Sequence, residues 1–293
     1  MLLTFPLPPR YHFEAMIDAH GWPQLAPFSW DETGHTLGRV ERLANGCVVR
    51  LHIGASGTLL RVTIDGPDLA PNHVAEVEQA VRWMLEFDED FEEFYAFCTN
   101  EPALAHIPER GLGPMLRSPT VWEDYVKTVC TTNTTWAQTK GMVARIVAGF
   151  GAPFALDGPY AFPTPEAIAA VDVQTFAAAA RAGYRATYLH QTALDIAAGR
   201  FDLEQYKQRA RTLQTPALMK ELQQLPGIGP YGAAHLALLL GSYGYIPVDS
   251  WARDLVRRHF RQGEPVTDRE VHEYFAHYGR WQALAFRCWS WDA

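Results

Sequence analysis

Two hydrophobic periods divide the chain. Between residues 34 and 64, "CVVRLHI" and "TLLRVTI" alternate apolar with polar positions on either side of "GASG". That is the pattern of two half-buried strands joined by a glycine-containing turn. "TLGRVERL", just before them, reads as a third strand. After "GPDLAPN" the period changes. In "HVAEVEQAVRWMLEF" the residues Val74, Val77, Val81, Met84 and Leu85 fall on one face of a helix. From there on the spacing is helical nearly throughout. "TVWEDYVKTVCTT" starts beside Pro119, "TWAQTKGMVARIVAGFG" stops at glycine, and "TPEAIAAV" opens with a capping threonine and a proline at its first turn. "DVQTFAAAARAG", "RATYLHQTALDIAAG", "TPALMKELQQL", "GPYGAAHLALLLG", "DSWARDLVRRHF", "TDREVHEYFAHY" and "GRWQALAFRCWSW" continue the series. Residues 11–32, rich in aromatics and proline, carry neither period. The expected fold class is α+β: a small N-terminal antiparallel β-sheet domain over residues 1–70, then a mostly α-helical body over 71–293 built from roughly nine or ten short helices.

Composition narrows the class. The chain has 293 residues, 48% of them hydrophobic and 20% charged, a globular and not a disordered balance. No apolar run approaches the ~20 residues of a membrane span, so no membrane partner is expected. The opening "MLLTFPLPPRYHFE" has neither a basic leader nor a small-residue cleavage site. A cytoplasmic protein of a prokaryote, working at the nucleoid, is the expectation. Cys47, Cys98, Cys130 and Cys288 lie far apart in sequence with no C-x-x-C pair, which predicts reduced thiols and no zinc or iron–sulfur site. The net charge of −8 argues against nucleic acid, but it is unevenly spread. Residues 1–100 hold 6 Lys/Arg against 15 Asp/Glu, while residues 101–293 hold 19 against 18. Much of the excess is the run "EFDEDFEEF", Glu86–Phe94.

The candidate chemistry centres on "LPGIGPYGAA". A helix ends at Leu222–Gln224, and a tight turn over 225–229 leads into a second helix near Pro230. Gly227 and Gly229 permit positive φ and close backbone approach. The new helix offers the free N–H groups of its first turn, an anion site by geometry, with Ile228 plugged between the helices. Such a hairpin grips a DNA phosphate without side-chain charge. Asp249, in "IPVD", follows a short helix and loop later, within the segment 246–251. It also precedes "SWARDLV" as a helix cap, and the two roles are compatible.

The stretch 223–251 resembles the helix–hairpin–helix (HhH-GPD) superfamily of DNA glycosylases, in which an aspartate stands at the mouth of the base pocket. The resemblance extends to the 8-oxoguanine glycosylase branch. "GPMLRSPTVWEDYVKTVCTTNTTWAQTKGMVARIVAGFG" is similar to that branch's "LLRQDP…ICSSNNN…GMVERL…FG", so Asn133 matches the asparagine that fills the gap left by an everted base. "AGYRATY" is similar to "GYRARY", so Tyr184 and Arg185 match a wedge residue and an arginine that reads the orphaned partner base. "GRWQALAF" is similar to "GWAQAVLF", so Gln282 and Phe286 fall where the family recognises and stacks the flipped base. The resemblance implies two helical lobes, double-stranded DNA with a modified base as partner, a monomer, and no required cofactor beyond a monovalent cation on hairpin carbonyls near Leu225 and Ile228.

The departures shape the expected reaction. Where the branch carries a lysine that attacks the sugar carbon, this chain has Tyr231, which cannot form an imine. His235 replaces a pocket cysteine, and Gln138 replaces an arginine directed at the opposite base. The loop "HGWPQLAPFSW" is longer than its counterpart. A monofunctional DNA N-glycosylase is therefore expected. Asp249 stabilises the cation-like sugar and orients water, and Tyr231, His235, Trp251, Gln282 and Phe286 form the base pocket. Asn133, Tyr184, Arg185, Gly227, Ile228, Gly229, Lys220, Arg253 and Arg257 hold the DNA, with Lys140, Arg258 and Arg261 as further phosphate contacts. Three alternatives stand beside it: a glycosylase/lyase using another amine such as that of Lys220, an enzyme removing a bulky modified phage base in antiviral defence, and a DNA- or protein-binding module without turnover.

Overall fold

The computed structural model of the protein describes residues 1–291. The chain runs β1 (Leu2–Pro6), α1 (Phe13–Asp18), β2 (Phe28–Asp31), β3 (Thr36–Arg42), β4 (Val48–Ser56) and β5 (Leu59–Asp65). The helices α2 (Pro71–Met84), α3 (Glu92–Thr99), α4 (Ile107–Arg110), α5 (Val121–Thr131), α6 (Trp136–Phe150), α7 (Pro165–Ala169), α8 (Val173–Ala180) and α9 (Arg185–Ala197) follow. Then come α10 (Gln205–Thr212), α11 (Thr215–Leu222), α12 (Pro230–Leu239), α13 (Ser250–Phe260), α14 (Asp268–Phe275) and α15 (Gln282–Arg287). The α+β class holds. No helix among the described residues is long and apolar enough to cross a membrane.

The chain divides into two compact units, one of residues 1–88 and 114–203, the other of 89–113 and 204–291 of the described chain. The first unit holds a five-stranded antiparallel sheet of order β1-β5-β4-β3-β2. The central hairpin pairs Ile53 with Val62 and Ser56 with Leu59, so the strands run on through Gly54 and Ala55 and the turn is only Gly57–Thr58. Val49, Leu51, Ile53, Leu60, Val62 and Ile64 all point to one buried face, as the alternation requires. The edge strands β1 and β2 are too short and irregular to show this alternation. β1 forms on β5, some sixty residues away, with Leu3 opposite Val62.

An ion network sits beneath the sheet. Arg39 of β3 donates to both carboxylate oxygens of Glu123 at 2.9 and 2.7 Å and to Glu41, while Lys127 pairs with Glu123 at 2.7 Å. Arg39, Glu123 and Lys127 are fully buried. Arg39 and Lys127 hold the Glu123 carboxyl down at about 2 against the opposing effect of burial. Beside them Asp124 accepts from Trp22 Nε1 at 2.7 Å and from the Ser118 amide at 3.0 Å. The network ties α5 to the sheet and, through Trp22, to the aromatic segment over 11–32. Removing one partner of such a buried pair costs about 3–5 kcal/mol.

The second unit packs α3, α4 and α10–α15 around an aromatic core. Phe275 meets Phe286 at 5.3 Å and Trp289 at 5.4 Å, and Phe260 meets Trp289 at 5.5 Å. The acidic run belongs to both units and is largely neutralised locally. Glu86 is buried, accepts from the Met115 amide at 2.8 Å and pairs with Arg117 at 3.3 Å. Asp88 pairs with Arg82, Glu89 with Arg211, and Glu93 with Arg280. Four carboxylates of the run, Glu86, Asp88, Glu89 and Glu93, are therefore paired with arginines.

Candidate functional site

In the second unit, α11 and α12 form the hairpin read from "LPGIG". Leu225 and Ile228 are buried, and the Ile228 amide donates to the Leu225 carbonyl at 3.1 Å. The two glycines do different work. Gly227 has φ +75°, a left-handed conformation that disfavours any side chain. Gly229 does not: it caps α12 in extended backbone, φ −90° and ψ −170°, and a side chain there would meet no protein atom within 4 Å. Of the two glycines, only Gly227 uses the positive φ that glycine permits. Its lack of a side chain serves neither conformation nor internal packing, and it keeps open the space before the first turn of α12, where helix N–H groups attract anions.

Asp249 caps α13. Its Oδ1 accepts from the Ala252 amide at 2.8 Å, which leaves the second carboxylate oxygen without a partner among the described residues. The residue is half-buried. α15 anchors the loop that carries it: the Ala283 amide donates to the Tyr243 carbonyl at 2.9 Å, and the Gln282 side-chain amide donates to Gly244 O. Gln282 thus has one end in the loop, and its carbonyl oxygen makes no hydrogen bond among the described residues.

The five pocket candidates separate by burial. Phe286 is 5% exposed and wedged between Phe275 and Trp291, at 5.3 and 5.1 Å, so it is a core side chain first. Trp251, 54% exposed, stands edge-on to Phe286 at 6.2 Å and presents the open aromatic face. Tyr231 and His235, one turn apart on α12, lie nearly parallel with ring centres 6.0 Å apart. Burial pushes the His235 imidazole down to about 3, with repulsion from Arg287 adding to the effect, so it is neutral at physiological pH.

The first unit gathers Asn133, Tyr184 and Arg185. Asn133, at φ +46°, donates its side-chain amide to the Tyr184 hydroxyl at 3.3 Å. That bond holds the phenol below its usual range. Tyr184 is 53% exposed and meets Tyr188 edge-to-face at 6.0 Å. Tyr188 was missed in the sequence, although its i+4 spacing from Tyr184 on α9 was there to be read. Arg185 is buried. Its guanidinium donates to the Thr132 and Asn133 carbonyls and lies over the Tyr184 ring at 4.7 Å, so it clamps the loop that presents Asn133. Gln138 is engaged elsewhere, closing a capping box with Thr135 at the start of α6. From the long aromatic loop, Gln24 accepts from Trp136 Nε1 at 3.0 Å and from Lys140 at 3.3 Å.

The basic run on α13 is already paired. Arg253 bonds Asp268 at 2.6 Å, Arg257 and Arg258 share Asp254 at 2.7 and 2.9 Å, and Arg261 bonds Glu270 at 2.7 Å. Lys220 is exposed at the end of α11 and has no carboxylate within reach among the described residues. A second omission from the sequence reading is Arg287, a cation inside an apolar helix, whose buried Nε has no hydrogen-bond partner. Among the described residues no group of three His, Cys, Asp or Glu is placed to hold a metal.

Comparison with known proteins extends these observations. YfjP of Bacillus subtilis, provisionally named a DNA-3-methyladenine glycosylase, is 22% identical over 89% of this chain and 88% of its own. The 3-methyladenine DNA glycosylase of Archaeoglobus fulgidus superposes with a TM-score of 0.75 at 21% identity, covering 99% of this chain and 98% of that one. The 8-oxoguanine glycosylase/lyase of Clostridium acetobutylicum superposes with a TM-score of 0.76 at 19% identity, covering 100% and 96%. Its complex with double-stranded DNA containing cytosine opposite 8-oxoguanine gives 0.73 at 18%, covering 98% and 95%. The family model of the HhH-GPD superfamily base excision DNA repair proteins matches residues 126–280, a span that takes in Asn133, Arg185, the hairpin and Asp249, and the chain belongs to that superfamily.

Proposed function

We propose that the protein is a monofunctional DNA N-glycosylase that hydrolyses the bond between a modified base and its sugar in duplex DNA. The observation that carries this reading is Asp249 with one free oxygen, following a hairpin that has Tyr231 in place of an amine. As the glycosidic bond breaks, the base leaves with the bonding electrons and the sugar carbon gains positive charge. The free oxygen of Asp249 stabilises that charge and accepts a proton from the attacking water, leaving an abasic sugar. The capping bond does not compete with this role: the Ala252 amide holds Oδ1 and fixes the carboxylate's orientation.

The lysines support hydrolysis over covalent attack. Lys127 is buried in the ion network, Lys140 bonds Gln24, Lys207 pairs with Glu204 at 2.8 Å, and Lys220 lies on α11 ahead of the hairpin. The family resemblance assigns Tyr184 and Asn133 the roles of wedge and filler for the space an everted base vacates, and Tyr188, edge-to-face with Tyr184, extends that stacking surface. Phosphate binding falls to the hairpin amides at Gly227 and Gly229 and to Lys220, while the Ile228 amide is held by the Leu225 carbonyl and its side chain packs the turn; Arg253 and Arg257 take a smaller share, because their carboxylate partners must be displaced. The Leu225 carbonyl, which accepts from the Ile228 amide, keeps a second lone pair, so a monovalent cation at this turn fits the donor set.

Duplexes each carrying one modified base, scored for alkali-sensitive sites, test the hydrolysis. Borohydride trapping on the cleaved duplex tests the route. Abasic product without a trapped adduct is expected, and efficient trapping would show that an amine attacks.

A further inference from the structure

The first unit carries a cavity apart from the residues assigned to DNA and base. It holds about 360 Å³ and opens where β2 stops short of β3. β2 pairs with β3 only as far as Phe28 opposite Arg39, so Val40, Glu41 and Arg42 have no strand on that side. Pro27, Phe28 and Val40 form one wall, and Ala144, Val147 and Ala148 of α6 form the other. The small side chains of α6 leave the space unfilled. Arg50 of β4, half-buried, lines it too. Among the described residues Arg50 makes no hydrogen bond or ion pair, and its cross-strand neighbour Asp65 is bonded to His52 at 3.1 Å.

Pro159 and Tyr160 complete the lining and belong to a short hairpin over 152–161. The Phe154 amide donates to the Pro159 carbonyl and the Ala161 amide to the Ala152 carbonyl, both at 2.8 Å. The Gly158 amide closes the turn on the Ala155 carbonyl at 3.0 Å, which makes Leu156 and Asp157 its two corner residues. The Tyr160 ring lies against Gly158, where a side chain would meet it at 2.7 Å, so the turn is held beside the cavity. Leu156 is 95% exposed, and Asp157 is exposed with no ion pair among the described residues. A bare leucine followed by an unpaired carboxylate thus stands next to an apolar cavity with an unpaired guanidinium.

We infer that two copies of this chain associate through this face, each inserting Leu156 into the other's cavity and setting Asp157 against the other's Arg50. Knob and cavity share one patch, which is what a two-fold, self-complementary interface requires. An apolar cavity of about 150 Å³ already takes a benzene ring, so one of about 360 Å³ admits a leucine side chain. Burial of the leucine supplies the attraction, and the charge pair fixes the orientation. Such a dimer departs from the monomer that the family resemblance implies, and it is independent of the reaction assigned above. Ala144 and Ala148 lie eight and twelve residues beyond Trp136 (144 − 136 = 8, 148 − 136 = 12), about 12 and 18 Å along α6, which keeps this face away from the Asn133 loop.

Sedimentation velocity of the protein over about a hundredfold concentration range reads the association. The parent should pass from monomer to dimer. Leu156→Ser, which removes no internal contact, should keep the parent's melting temperature and weaken association about tenfold or more. Asp157→Arg should weaken it comparably, and adding Arg50→Asp should restore it, because the charge pair is then reversed. A merely sticky tip would not be rescued in this way. Should the Arg50 substitution fail to fold, Ala148→Trp, at an exposed position of α6, fills the cavity and should weaken association to the same extent. A parent that stays monomeric throughout overturns the inference, as does a dimer indifferent to Leu156→Ser. Two companion measurements identify the occupant in that event. Loss of duplex affinity in Leu156→Ser, read by fluorescence anisotropy, would put the tip on DNA. A melting temperature raised by isovalerate would give the cavity to a small branched carboxylate.

Discussion

Replacing Gly229 with alanine separates what the hairpin needs for folding from what it needs for DNA. At φ −90° and ψ −170° an alanine is unstrained, and its methyl group would touch no protein atom within 4 Å. Two small terms oppose each other. Alanine is a poorer helix cap than glycine by less than about 1 kcal/mol. It also restricts the unfolded chain, which stabilises by about 0.4–1 kcal/mol. The melting temperature should therefore stay within about 2 °C of the parent. Gly227→Ala is the control: at φ +75° its methyl costs about 1–2 kcal/mol, several degrees in melting temperature. DNA affinity should behave in the opposite way for Gly229→Ala. The methyl occupies the approach to the first turn of α12, so a phosphate loses its charge-assisted bonds to the amides. At about 1.5–3 kcal/mol that is a ten- to hundredfold loss. Fluorescence anisotropy with a labelled duplex at fixed salt, alongside thermal melting, reads both quantities. A Gly229→Ala protein that is substantially destabilised, or that binds DNA as the parent does, refutes this account of the open space.

Other substitutions probe the remaining parts. Asp249→Asn keeps the cap, because asparagine serves that position equally well, so melting and DNA binding should persist while base release falls below detection; retained turnover would remove Asp249 from the chemistry. Phe286→Ala should lower stability by about 3–5 kcal/mol, as expected for a core ring, whereas exposed Trp251→Ala should melt like the parent yet weaken binding of a lesion duplex by about 1–3 kcal/mol; urea titrations and anisotropy distinguish the two. Asp124 predicts a pH effect. Burial raises its carboxyl from 3.8 to about 6, outweighing the hydrogen bonds from Ser118 and Trp22. The folded protein therefore holds a proton that the unfolded chain releases, and this contribution is present below pH about 4 and lost as pH rises through about 6. Asp124→Asn keeps the acceptor for Trp22 and Ser118 without titrating, so the stability difference between parent and variant should change across pH 4–6; a flat difference in urea melts at pH 4, 5, 6 and 7 contradicts the assignment.

Much of this protein is local in origin and therefore legible in its sequence. The alternation in "CVVRLHI" and "TLLRVTI" names the buried residues of β4 and β5, because side chains on a strand have only two directions to take. "LPGIG" specifies the turn between α11 and α12, and the Asp249 cap follows from an acceptor placed before "SWARDLV". Tertiary structure decided what depends on residues distant in the chain. Strand β1 exists only because β5 supplies its partners. The buried ion network joins Arg39 to Glu123 across eighty-four positions. The "RDLVRRHFRQ" run looks like a phosphate surface until Asp268 and Glu270 of α14 fold against it. Phe286 reads as a stacking residue until Phe275 and Trp291 enclose it, and Gly229 reads like Gly227 until the backbone gives them different φ. Arg287 shows the same limit in reverse. A sequence shows that a cation is present, but whether any carboxylate comes within reach of it is a three-dimensional fact.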